Sequence, residues 1–205
     1  MNPPGTSDLG LDLGINNLPY LMPIHPALVH FTIGLFIIGV FFDVAGAFYS
    51  VRKRLGLTLP IGRGSLFDIG WYNLLAATIC TFFTVIFGFF ELYLAQPSPD
   101  LRSSWGLNAS QTLLAHGLGG TLMLTFMAGL TIWRGFQRYR WRRGLDRQVQ
   151  WSYLLAAVAA VGFLFVQGKL GGQLSEDFGI HNTTVNLLRL PDRGASEICK
   201  VRGTC

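Results

Sequence analysis

Four histidines, His25, His30, His116 and His181, are the side chains of this sequence best suited to chemistry. A neutral imidazole carries a lone pair that ligates iron, zinc or copper. It also enters an apolar interior at less cost than a carboxylate or an ammonium group, because it can enter uncharged. Two of the four lie in long uncharged stretches, and each is followed four residues later by glycine: Gly34 after His30, and Gly120 after His116. Positions i and i+4 share a face of a helix, so each pair sets an imidazole one turn from bare backbone. A flat macrocycle ligated by the imidazole needs such a surface. Glycines also mediate close helix packing, so a second reading stands beside the first: His30 and His116 as an interhelical hydrogen-bonding pair. No phosphate-binding glycine loop, nucleophile elbow or HExxH motif is present, which argues against hydrolase or kinase chemistry. The chain is expected to have no catalytic activity of its own.

The elements that carry these residues follow from composition. Half of the 205 residues are hydrophobic and only 13% are charged, where a soluble domain is about a quarter charged. Residues 13–42, 69–90, 103–133 and 148–168 contain no Asp, Glu, Lys or Arg. Each run supplies the roughly 20 residues that a helix needs to cross the hydrocarbon core of a bilayer. Without water to satisfy exposed amides, only helices or closed barrels span. Stretches such as Ile33–Phe42 and Leu154–Val166 are continuously apolar and do not alternate, so helices are expected. The predicted fold is all-α, an integral membrane four-helix bundle occupying 24–175, with helices at about 24–50, 69–95, 111–134 and 148–174. Segment 1–23 precedes it, lacking the basic and compact apolar regions of a cleavable signal peptide, and tail 176–205 follows.

Basic residues set the expected orientation. Loop 51–68 carries Arg52, Lys53, Arg54 and Arg63 against Asp68, and segment 134–150 carries Arg134, Arg138, Arg140, Arg142, Arg143 and Arg147 against Asp146. Both are placed in the cytoplasm, and both termini on the non-cytoplasmic side. The net charge of +5 then reads as anchoring against anionic lipid, with no nucleic-acid partner. In this orientation all four histidines, with Glu91, Glu176 and Asp177, fall toward the outer leaflet. At about 1.5 Å per residue, His30 and His116 share a depth. Asp43, at the other end of the first span, is expected to snorkel or to pair with Arg52, Arg54 or Arg63. Lys169 is expected to reach the outer interface or to meet Glu91. Cys80 reads as a packing residue, and Cys199 with Cys205 could close a small disulfide loop on the oxidising side.

Three ligand chemistries suit the histidines. His30 and His116 could hold haem b iron axially between the first and third spans. A single histidine could ligate the magnesium of a chlorophyll. Zinc or copper could sit at the outer mouth on His25, His181 and Glu91, although His25 and His30 are five residues apart, about 140° around a helix, and would not chelate together.

The string His25-Pro26-Ala27-Leu28-Val29-His30-Phe31-Thr32-Ile33-Gly34 resembles the opening of a bacterial four-helix membrane family, domain of unknown function 2231, whose signature reads His-Pro-x-x-Val-His-Phe-Pro-Ile. Gly88-Phe89-Phe90-Glu91 is similar to that family's glycine and acid closing the second helix, and His116 falls where the third helix carries its histidine. Gly171-Gly172-Gln173-Leu174 and Gly179-Ile180-His181 resemble its closing segment. The similarity covers about 22–182, with Thr32 in place of the common proline and Glu91 in place of the common aspartate. It implies the four-helix membrane architecture in a bacterial plasma membrane or thylakoid and adds weight to the histidines, while assigning them no ligand. The expected function is a haem b (tetrapyrrole) protein serving electron transfer in a larger respiratory or photosynthetic membrane complex. The alternatives are a cofactor-free accessory or assembly subunit and an outer-facing metal-binding protein.

Overall fold

The computed structural model describes residues 24–56, 61–94, 101–144 and 148–180. Along the chain these form α1 (Ile24–Ala47), a short α2 (Tyr49–Arg54), α3 (Arg63–Leu94), α4 (Ala109–Phe136) continued by a π-helical turn (Gln137–Trp141), and α5 (Trp151–Glu176). Helices α1, α3, α4 (with its π turn) and α5 are each long and apolar enough to cross a membrane. The protein is therefore an all-α, multi-pass membrane bundle. Phe31, Phe41, Leu114, Leu122, Leu155 and Phe165 are each more than 60% exposed. Such a coat is intolerable in water and ordinary against lipid. Its interior is a column that includes Phe36, Phe67, Leu74, Met127, Tyr153 and Ala157.

Helix α1 lies closest to α3, while α4 contacts both α3 and α5. Small residues set the first contact. A methyl group at Gly39 would fall 3.1 Å from the Leu74 amide nitrogen and 3.2 Å from the Gly70 carbonyl oxygen. A Cβ there would have to push the two backbones apart by a few tenths of an ångström, so glycine favours the close approach.

Helix α3 starts at Arg63, six residues ahead of the uncharged run, because its charges are absorbed at the bundle's end. Arg63 donates through Nε to the Gly46 carbonyl at 3.0 Å, and Asp68 pairs with Arg138 at 2.6 Å. Charge-free length measures the oily part of a helix, whereas hydrogen bonding sets where the helix stops. At this same end lies a buried network. Asp43 of α1 accepts from Arg134 Nε at 3.0 Å and Nη2 at 3.1 Å, and from the Tyr153 hydroxyl of α5 at 2.9 Å. Arg134 Nη2 also donates to the Phe67 carbonyl of α3 at 3.3 Å. All four spanning helices meet there. The expected partners of Asp43 are thus corrected: Arg63 is engaged with Gly46, the side chains of Arg52 and Arg54 lie outside the described residues, and Arg134 provides the pair. Arg134 is fully buried, not one of the lipid-anchoring loop charges. Its long, forked side chain satisfies a carboxylate that would otherwise be desolvated alone.

The opposite end is shaped by caps. Asn108 and Gln111 form a capping box at the start of α4, with bonds of 2.8 and 3.1 Å, relieving two orphan amides. Helix α5 ends with Asp177 N–H donating to the Gln173 carbonyl at 2.9 Å. The chain then turns at Gly179, φ +69°, and Ile180 N–H reaches back to the Leu174 carbonyl at 3.0 Å, with Ile180 packed against the cluster that holds Leu174. The loop before α4 hooks onto that terminus: Ser104 N–H donates to Asp177 at 2.8 Å, and Gln173 Nε2 donates to Ser104 Oγ at 2.9 Å.

Candidate functional site

A cavity of about 430 Å³ opens at the capped end, lined by residues of all four spanning helices. That volume falls within the range of small-molecule sites, roughly 300–1,000 Å³. Its wall is mostly apolar, and its polar groups include three of the four histidines, Gln167 and Glu91. Helix α1 brings His25 and His30, and α4 brings His116.

His25 sits in the first turn of α1, beside Pro26, whose missing amide proton costs nothing there. The buried Glu91 carboxylate accepts the His25 main-chain N–H at 3.1 Å, so α3 caps α1 with a negative charge where the helix dipole welcomes one. The His25 ring is oriented by the Thr84 carbonyl, 2.9 Å from Nδ1. A carbonyl only accepts, so Nδ1 carries the proton and Nε2 keeps its lone pair. Backbone carbonyls orient metal-bound imidazoles in this way. His30 shows the same pattern, with Nδ1 2.6 Å from the Pro26 carbonyl of its own helix, but its ring is exposed.

Each inner histidine rests on a glycine of the neighbouring helix. A methyl at Gly88 of α3 would fall 2.8 Å from His25 Cε1, and one at Gly171 of α5 would fall 3.1 Å from His116 Cε1. The two rings meet across the cavity mouth with centroids 6.0 Å apart and planes at 82°. The Gln167 main chain faces the His116 ring, but Nδ1 of His116 is buried without a hydrogen-bond partner, as is Gln167 Oε1. Three more glycines, Gly120, Gly168 and Gly172, line the cavity with nothing within 4 Å of where a Cβ would be. They leave two walls of bare helix backbone, on α4 and α5.

A family model described as "Predicted membrane protein (DUF2231)" matches residues 21–184. The chain belongs to the DUF2231 family. No curated protein and no solved structure matches it. Family membership therefore makes the protein a multi-pass membrane protein of unknown function, and the chemistry must be argued from the DUF2231 cavity itself.

The sequence-derived candidates divide within that cavity. His116 and Gly120 line it, as does His30, but the ring that meets His116 is that of His25. Gly34 does not line it, and a Cβ there would touch nothing within 4 Å. Glu91 is in the wall, while His181, Cys199 and Cys205 lie outside the described residues. Among the described residues, no three His, Cys, Asp or Glu side chains gather so as to hold a metal ion. Lys169 is exposed and Cys80 half-buried. Sequence reasoning named Gly88 and Gly171 only within the family resemblance, without a role in the site, and did not single out Thr84 or Gln167. Gly88 and Gly171 were visible as helix glycines near the ends of their spans, and Gln167 as a lone amide in an apolar run. Nothing in the sequence marks the Thr84 carbonyl.

Proposed function

We propose that this cavity binds a tetrapyrrole, haem b, through His116 of α4 and a histidine of α1. The protein then serves as an electron-transfer element of a larger membrane complex, with the cavity toward the non-cytoplasmic leaflet, where the positive-inside bias places it. The observation that carries this reading is the pair of imidazoles from opposite walls, 6.0 Å apart. Two imidazoles sharing one first-row metal have ring centres roughly 6 Å apart, because each nitrogen lies about 2 Å from the metal.

The rest of the cavity fits the same guest. His25 presents an Nε2 lone pair that a metal centre can take, and Gln167 Oε1 is a buried acceptor that a donor on the guest can meet. The bare backbone at Gly120, Gly168 and Gly172 suits a flat ring, and the apolar wall excludes water. Haem supplies one-electron redox chemistry when bound. The chain's own residues ligate it, fix the imidazole tautomer through Thr84 and hold the helix start through Glu91.

Purified protein from haem-replete cells should show a Soret band that sharpens and shifts on dithionite reduction. His116→Leu should abolish it and leave a monodisperse, membrane-inserted protein. Absence of the band, both as purified and after incubation with hemin, would overturn the reading. The cofactor-free alternative then takes its place, with the His25–Thr84 and His25–Glu91 hydrogen bonds serving as glue between α1 and α3.

A further inference from the structure

We infer that His25, not His30, is the axial partner of His116, and that the protein holds the two imidazole planes nearly perpendicular so as to set the electronic character of the bound iron; this rests on the tetrapyrrole reading above. Depth along α1 does not favour His25, but azimuth and packing do. The two α1 histidines share the same tautomer, each with its Nδ1 against a backbone carbonyl, so a lone pair on Nε2 does not separate them. Their surroundings do. His30 is tied to the turn behind it and exposed. His25 is tied to a different helix, lies against Gly88, and has its ring centroid 6.0 Å from that of His116.

The angle is built in by separate supports. The Thr84 carbonyl and the Gly88 backbone, both on α3, fix the plane of His25, and the Gly171 backbone on α5 confines that of His116. The resulting interplanar angle is 82°. Each imidazole donates π density into the iron d orbital perpendicular to its own plane. Parallel planes raise one of the two dπ orbitals above the other. Perpendicular planes raise both alike and leave them nearly degenerate, so unquenched orbital momentum makes the ferric centre strongly anisotropic. Axial ligation is one of the levers by which a protein sets haem behaviour. Here the lever is ring orientation, and glycines are its fulcrum.

Low-temperature electron paramagnetic resonance of the ferric protein tests this directly. The expected spectrum is low-spin with one isolated low-field feature and the other two components broadened away. A rhombic three-line low-spin spectrum would overturn the perpendicular arrangement while leaving haem binding intact. His25→Leu should convert the centre to a five-coordinate, high-spin form that binds carbon monoxide, and His30→Leu should keep the unsubstituted spectrum. The reverse outcome overturns the axial assignment. The Glu91 bond to His25 is made by the main chain, so it survives the His25 substitution. Gly88→Ala should retain the Soret band and move the spectrum toward the rhombic form, and an unmoved spectrum overturns the role given to that shelf. A protein with no Soret band overturns the proposed function, and this inference with it.

Discussion

The two ends of the bundle place their intramembrane polar groups differently, one in a packed cluster and one around a cavity. At one end, the Asp43 carboxylate receives a bidentate guanidinium from α4 and a hydroxyl from α5, all within a fully buried cluster. The carboxylate's needs are met from within the chain, while Arg134 Nη1 beside it is buried without a partner and does not line the cavity. At the other end, three imidazoles and an amide surround a void, and two of their polar atoms are buried without a partner. An ionisable residue in a bilayer is a functional candidate by default, but this pair of regions shows a finer distinction. A group whose partners the chain supplies fastens the helices, whereas an unpartnered group beside empty space is a candidate for binding.

Substitutions can break or sharpen that contrast. Arg134→Leu should have the largest effect on stability, about 3–5 kcal/mol, because it strands the Asp43 charge in the core. The double variant Asp43→Leu/Arg134→Leu should recover a large part of that loss, which reversible unfolding in bicelles would read. If the single and double variants were equally unstable, the fastener description would be wrong. Gly120→Leu or Gly168→Leu should lower pigment affinity about tenfold or more, equivalent to about 1.4 kcal/mol, with little change in unfolding. Titration with hemin followed at the Soret band measures it, and an unchanged affinity would show that the glycine walls do not face the guest. Asn108→Ala should cost about 1 kcal/mol through loss of the α4 cap and leave pigment binding alone. Gly34→Leu should change neither quantity measurably, since a side chain there meets open space. A pigment loss matching that of Gly120→Leu would place Gly34 at the cavity after all.

The four spans could be read from the sequence because the bilayer imposes a single crude requirement, apolar length, that no tertiary contact can override. His116 and Gly120, which line the cavity, stood out for a related reason, as polar or empty positions are conspicuous in an apolar run. That the ring meeting His116 is His25 and not His30 was not legible. Depth fixes height in the membrane but not the direction a side chain faces, and the rotation of α1 is set by its contact at Gly39 and Gly70 and by the Glu91 tie. Arg134 was misread for the converse reason. It stands at the junction of an uncharged run and a basic cluster, and only the position of Asp43 on another helix shows that it turns inward.

The ties at the cavity end also bear on how the molecule can breathe. Glu91 holds the start of α1 to α3, and Ser104 holds the approach to α4 against the end of α5, while the Asp43 cluster rivets all four spanning helices at the far end. The bundle thus has the build of a clothes-peg, two stiff jaws sharing one spring. A molecule taken up between the jaws would bear on the Glu91 and Ser104 ties and leave the Asp43 cluster untouched.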